Sequence, residues 1–369
     1  MHVLVMTIVH HPLDARIHHR QIRALVEAGH AVSYAAPWSS TGVEASAAID
    51  GIELLDLPRA VGRHRFRALR AARRLLARSG RDYDLVLLHD PELLLAVWGQ
   101  LRRLPAVVFD VHEDSAASLI DRPWVPRLLR PGASWALRRL ESWAERRVDL
   151  LLAEASYQER FRRSHPFVPN VPPRPTGMPP QPGGTRVVYL GRIARSRGAL
   201  ELLELADRLV GPYELELIGQ ADPDVEPLIR EAARSGKLTW HGFLPNELAL
   251  QRIEGAMAGL SLVHPQPNHA GSLQTKVLEY LSRRVPVIST ELAVTGPFIR
   301  EHQVGFTVPP GDVEAVAVAL ERLHGDERER RAIADRGFAL VRDELNWDVA
   351  GHRFVNTLEA AAAGRPLDT

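Results

Sequence analysis

Cysteine is absent from all 369 residues, which excludes disulfides, thiol nucleophiles and thiolate metal sites and fits a reducing compartment. Lysine is almost absent: Lys237 and Lys276 stand alone, and arginine carries nearly all the positive charge. A lysine is therefore more informative here than an arginine. Charge of one sign is also lacking, because 46 basic residues face 45 acidic ones for a net +1. No global field draws such a chain to nucleic acid. No stretch reaches the roughly 20 apolar residues of a membrane span, and the opening MHVLVMTIVHHPLD turns polar too soon for a secretory leader. A cytoplasmic location is the expectation.

What is present is 45% hydrophobic residues over a length that suits two cores. Short apolar runs (HVLVMTIV, AVSYAAP, YDLVLLHD, PAVVFDVH, VDLLLAE) alternate with amphipathic stretches, beginning with a helix expected from Arg16 to Ala28 and stopped by Gly29. Continuous apolar strands belong to a parallel sheet covered on both faces. A proline-rich stretch over 169–185 removes backbone donors and reads as a linker. The alternation then restarts with RVVYLGRI, a helix from Ala199 to Leu209, LELELIG, a helix near Glu226 to Ser235, KLTWHGFL, GLSLVHP, a helix near Gln274 to Arg283, VPVIST and GFTVPP. The expected class is α/β. Two Rossmann-like doubly wound domains cover 1–168 and 186–347, face each other across a cleft, and receive a terminal helix, about 348–364, back onto the first.

Two segments carry chemistry. In YLGRIARSRG, an apolar strand ends at Gly191, and Arg192 and Arg197 at a helix start can bracket a diphosphate with charge-assisted hydrogen bonds. A solvated basic helix start is the plain alternative. In HAGSLQTKVLEYLSRR, Gly271 and Ser272 precede a helix whose first amides can face an anion, and Lys276 adds a cation. Glu279, one turn further, can accept ribose hydroxyls or pair with Arg283 at i, i+4.

Together these segments resemble the C-terminal domain of family-4 glycosyltransferases, retaining enzymes of the GT-B fold. The strand-G-R turn, LELIG, WHGFL, KVLEY followed by RVPVIST, and GFTVPPGD occur in the family's order across 187–312. The resemblance implies that Arg192 and Arg197 bind the donor diphosphate, which Ser272 and Lys276 would join by their own chemistry, that Glu279 binds the ribose, and that Phe243 and Leu244 lie beside the base. The family's usual first glutamate is replaced by Gly271, as in branches with a T-K-x-x-E-Y helix; that bears on how the sugar is held. In the first half, HHPLDARI, LLHDPELL and VVFDVHED resemble the same family. His112 would face the reacting sugar, and His10, His11, Asp14, Arg16, His89, Asp90 and Glu113 would line the sugar and acceptor side.

The implied reaction moves a sugar from a GDP- or UDP-linked donor to a glycan, lipid or small-molecule acceptor. His112, Arg192 and Arg197 would stabilise the opposite charges that develop on sugar and leaving phosphate. A sugar-nucleotide epimerase and a non-catalytic nucleotide-sugar module are the rival readings. No cofactor and no metal are expected, because adjacent histidines such as His18 and His19 diverge on a helix and the D-P-D of Asp222 to Asp224 reads as a turn. RAVGRHRFRALRAARRLLARSG and RPWVPRLLRPGASWALRRLESWAERR interleave arginine with apolar residues. They read either as a peripheral contact with the inner face of an anionic membrane or as ordinary surface helices.

Overall fold

The computed structural model describes residues 1–44, 48–114, 116, 128, 130–209, 211–266, 269 and 271–367. It divides into two compact units, Met1–Asn170 with Trp347–Thr369, and Val171–Asn346.

The first unit is built on six parallel strands: β1 (His2–Met6), β2 (Ala31–Ala36), β3 (Glu53–Asp56), β4 (Leu85–Leu88), β5 (Ala106–Val111) and β6 (Asp149–Leu152), in the order β3-β2-β1-β4-β5-β6. Strands such as LVLL are buried at every position because helices cover both faces. The order reverses between β1 and β4, the place where such sheets bind ligands beyond the strand ends. Register completes the placement: Met6 lies opposite Leu88, and Leu88 opposite Phe109. The residues after β1 and β4 and at the end of β5 therefore leave the sheet side by side.

The segment expected as one helix from Arg16 opens differently. Ile17–Ile22 is a π-helical turn, and α-helical bonding begins only at Arg23–Glu27. The Asp14 carboxylate accepts the amides of Arg16 (2.8 Å) and Ile17 (3.0 Å), and Gln21 N donates to Arg16 O at 2.9 Å. In an α-helix, residues five apart point about 140° apart; the wider turn brings Arg16 and Gln21 toward one face. Helix Trp347–Ala362 packs on this unit, with Trp347 Nε1 donating to Arg20 O at 3.1 Å.

The second unit repeats the topology with β7 (Arg186–Leu190), β8 (Glu214–Ile218), β9 (Thr239–Trp240), β10 (Ala258–Ser261), β11 (Val287–Thr290) and β12 (Gly305–Val308), ordered β12-β11-β10-β7-β8-β9. Its reversal falls between β7 and β10. The expected helices are observed as Ala199–Arg208, Glu226–Arg234 and Thr275–Ser282. The run expected as one strand over KLTWHGFL pairs only at Thr239–Trp240, because the chain turns at Gly242 (φ +66°), whose carbonyl accepts from Gly219 N at 2.7 Å. The proline-rich stretch carries no helix or strand and is fastened to this unit: Gly183 N donates to Gly255 O at 2.9 Å, and Arg284 donates to Pro179 O at 3.0 Å.

Candidate functional site

At the strand ends of the first unit, two buried aspartates organise four histidine and arginine side chains. Asp90, 1% exposed, accepts from Thr7 Oγ1 (3.0 Å), Ile8 N and Val9 N (3.2 Å) through Oδ2, which folds the chain as it leaves β1. Its Oδ1 lies 3.3 Å from His10 Nε2. Asp110, fully buried near the end of β5, accepts Arg16 Nε and Nη2 (both 2.8 Å) and Gln21 Nε2 (2.9 Å). His89 Nδ1 and His112 Nδ1 approach its Oδ2 at 3.3 and 3.5 Å.

A buried carboxylate is tolerated only when charges and hydrogen bonds replace its water. Burial alone would raise the Asp110 pKa, but the Arg16 charge and hydrogen bonds hold it well below the usual carboxylate range. Burial likewise disfavours a charge on His112, yet the Asp110 hydrogen bond and charge push it up to about 9. His89 moves the other way, lowered chiefly by burial. His112 is 12% exposed in its side chain, and its Nε2 faces His10 Nε2 at 3.1 Å.

His10, Asp14 and His112 are half-buried, and His11 and Glu113 are exposed, so these residues can meet a ligand. Arg16, His89 and Asp90, expected along the same rim, are 4%, 2% and 1% exposed. The hydrogen bonds of Arg16 and Asp90 run to groups inside the unit, and His89 lies against Asp110, so the three support the rim from beneath. Asp110 and Gln21 join this cluster without having been expected from the sequence. The available signal was an acid inside the otherwise apolar strand AVVFDV. Among the described residues, His89, Asp110 and His112 are the one group whose ligand atoms gather within 4.8 Å of one another. Both Asp110 oxygens are already engaged by Arg16, so that donor set does not suit a cation.

In the second unit, β7 ends at Gly191 (φ +111°), beside Gly219 (φ +144°) at the end of β8. A Cβ on Gly219 would fall 2.0 Å from Gly191 O, so the backbones touch as only glycine permits. The Tyr280 hydroxyl accepts from Leu190 N (2.7 Å) and donates to Leu260 O (3.0 Å), stitching β7 to β10 at the reversal. Gly259 makes room for that ring, 2.4 Å from where its Cβ would sit.

Lys276 lies one turn before Tyr280 on the same helix. Its Nζ is 3.7 Å from the Tyr189 ring centroid and 3.7 Å from the position of a Cβ on Gly191. The residue is 6% exposed, and Nζ has no hydrogen-bond partner among the described residues. Burial drives its pKa well below the ordinary lysine range, and the nearby Arg197 charge adds to this against Glu279. An anion meeting Nζ, Arg197 and the close-packed glycine backbone would remove that cost.

The remaining predicted residues of this unit have distinct partners. Tyr189 Oη donates to Arg192 O at 2.7 Å, holding the loop, while the exposed Arg192 side chain grips Asp222 through Nε (2.5 Å) and Nη2 (2.8 Å). Arg195 takes Asp224 at 2.7 Å, and Asp222–Asp224 is a turn. Glu279 accepts from Asn246 Nδ2 at 3.1 Å, whereas Arg283 pairs with Glu254 at 3.0 Å; the helical pairing of Glu279 with Arg283 is not formed. Gly271 and Ser272 precede the Lys276 helix, with Ser272 O accepting from Thr295 Oγ1 at 3.3 Å. Phe243 is 75% exposed and Leu244 half-buried.

Two Rossmann-like units, each gathering polar residues at its strand ends, define the GT-B architecture. The chain belongs to the group 1, family-4 glycosyltransferases: residues 15–179 match the family described as "Glycosyltransferase Family 4", and residues 184–326 match "Glycosyl transferases group 1". It is 26% identical over 170 residues to the alpha-D-kanosaminyltransferase of Streptomyces kanamyceticus, covering 45% of this chain and 43% of that one. It is 25% identical over 297 residues to the phosphatidyl-myo-inositol mannosyltransferase of Mycobacterium leprae, covering 76% and 74%. The chain thus spans less than half the length of the first curated relatives it matches, and about three quarters of the mannosyltransferase. Among solved structures, the sucrose-phosphate synthase of Thermosynechococcus elongatus superposes with TM-score 0.75 at 18% identity over 98% of this chain and 99% of that one. HepE of Anabaena, in complex with UDP-glucose, gives 0.72 at 14% over 98% and 100%.

Proposed function

We propose that the protein transfers a sugar from a nucleoside-diphosphate donor, GDP- or UDP-linked, to an acceptor in polysaccharide, glycolipid or natural-product synthesis. The observation that carries this reading is the buried Lys276 amine, without a hydrogen-bond partner among the described residues, beside Gly191 and Arg197. A diphosphate supplies the two charges and the acceptor oxygens that this group lacks. Glu279 sits one turn along the same helix for the ribose, and exposed Phe243 offers an apolar face for a base.

Leaving-group departure builds negative charge on the phosphate and positive charge on the anomeric carbon. Lys276 and Arg197, joined by Arg192 if it exchanges Asp222 for phosphate, would stabilise the first. His112 of the first unit would orient the sugar. Family membership favours retention of the donor's anomeric configuration, and arginine and lysine in place of a cation favour a metal-independent reaction. Calorimetric titration with UDP, GDP and ADP tests the reading: one of the first two should bind, and Lys276→Ala should abolish binding. Wild-type affinity in that variant would remove the proposal.

A membrane-borne acceptor is the finer part of this reading. Helix Arg65–Ser79 turns Arg67, Arg70, Arg74 and Arg78 outward next to Phe66, 83% exposed, and Val61, 56% exposed. Basic and apolar groups so interleaved suit an anionic lipid surface. Trp135 is exposed on helix Arg130–Ala144, whereas Trp124 lies outside the described residues. Among the described residues, no helix is long and apolar enough to cross a membrane. Flotation with anionic but not neutral liposomes is the expected result, and flotation with neither removes this contact.

A further inference from the structure

His10 and His112 meet nitrogen to nitrogen; the same His10 Nε2 also lies 3.3 Å from Asp90 Oδ1, Asp14 Oδ2 stands 4.0 Å from His10 Nδ1, and Asp110 lies on the outer side of the His112 ring. A contact of 3.1 Å between His10 Nε2 and His112 Nε2 has room for one hydrogen. Only one of the two rings can therefore be an imidazolium that points its hydrogen across the contact. The surroundings favour one such charge. Asp14, Asp90, Asp110 and Glu113 approach the pair from the loop after β1 and from the ends of β4 and β5, while Arg16 is the guanidinium among them and His89 is lowered by burial.

The ring that keeps the charge is the one whose far nitrogen lies against a fixed carboxylate, because Asp90 meets the contact nitrogen of His10 and Asp14 Oδ2 stands 4.0 Å from its Nδ1. Asp110 is fixed by Arg16 and Gln21 and cannot turn away, so it presents Oδ2 and its own carbonyl to His112 Nδ1, at 3.5 and 3.1 Å. His10 stands on the chain leaving β1 and is half-buried.

We propose that Asp110 is a positioning residue: by holding Nδ1–H of His112 it keeps that ring doubly protonated, so that His112 offers a bound sugar an Nε2–H donor and not a basic nitrogen. In the free protein this donor faces His10 Nε2, which also lies 3.3 Å from Asp90 Oδ1. The inference rests on the transferase reading for the identity of the ligand, but the protonation pattern can be measured without any nucleotide. The raised pKa of His112 agrees with it.

The test is a side-chain nitrogen titration by NMR of the full chain labelled in histidine, from pH 5 to 10, with His112 assigned by His112→Gln. Wild-type His112 is expected to hold both protons through pH 7 and to lose one near 9. In Asp110→Asn its midpoint should fall by about one to three units, the size of a lost neighbouring charge. In His10→Gln the high midpoint should persist. A neutral His112 at pH 7 in the wild type, an unchanged midpoint in Asp110→Asn, or a collapse in His10→Gln would each overturn the assignment. The wild-type and His10→Gln curves decide the matter even if Asp110→Asn does not fold. A chain that passes this test yet binds no UDP or GDP keeps the positioning role and loses the transferase reading.

Discussion

Arg16 and Asp110, 94 positions apart in sequence, meet in a two-point pair with Nε on Oδ2 and Nη2 on Oδ1, each at 2.8 Å and both residues almost wholly buried. The pair joins the turn after β1 to the end of β5, and Arg16 also donates to Val168 O at 3.1 Å.

Breaking such a pair leaves an uncompensated buried charge. Arg16→Met should therefore destabilise the first unit by about 3–5 kcal/mol, read as an earlier urea transition in a probe of that unit. A loss within about 0.5 kcal/mol, as at ordinary surface sites, would show that the pair contributes nothing.

Stability should also depend on pH through His112. A group whose folded pKa is raised adds stability that is fully present below its unfolded value, about 6.5. That contribution is lost as pH rises through about 9, with a slope of up to about 1.4 kcal/mol per pH unit. Denaturation series between pH 6 and 10 should show the decline in the wild type, and it should be reduced in Asp110→Asn. On the acid side the lowered Asp110 acts oppositely, adding stability above its unfolded pKa that disappears as pH falls through the folded value.

Much of this was legible in the sequence. Apolar runs such as LVLL and RVVYL marked the strands because a doubly covered parallel sheet demands them, and Gly191 and Lys276, singled out because glycine permits close approach and lysine is rare here, do lie together with Lys276 buried. The π turn was not legible, since its cause is Asp14 capping two amides and Asp110 drawing in Arg16 and Gln21 from another strand. Burial of Arg16, His89 and Asp90 was hidden for the same reason: composition names polar residues at strand ends but not which of them face inward. Glu279 offered Arg283 a partner at helical spacing, and tertiary contacts gave Arg283 to Glu254 instead.

Lys276 predicts an unusual pair of effects. Lys276→Met fills the same space without an amine to desolvate, so the nucleotide-free chain should gain about 1 kcal/mol or more while losing the thermal shift that UDP or GDP gives the wild type. Binding to the wild type should take up protons at pH values above the depressed lysine pKa, because a diphosphate favours the ammonium form. Calorimetry in buffers of different ionisation enthalpy measures that uptake, and affinity should weaken as pH rises.

Arg192 is held by Asp222 in the free chain, so its contribution should appear during turnover. Arg192→Ala should lower turnover by about 100-fold, the usual effect of removing one charge-stabilising donor. Asp222→Asn should leave Arg192 free for phosphate and retain turnover. Wild-type rates in Arg192→Ala would remove that residue from the chemistry.

Under the proposed function, Lys276, Arg197 and the glycine-ended strand β7 form a diphosphate seat. A crystal structure of the chain soaked separately with UDP and GDP tests it most directly. Diphosphate oxygens are expected within hydrogen-bonding distance of Lys276 Nζ and the Arg197 guanidinium, with the ribose at Glu279. A diphosphate bound elsewhere in the chain, with Lys276 still unpaired, would contradict it.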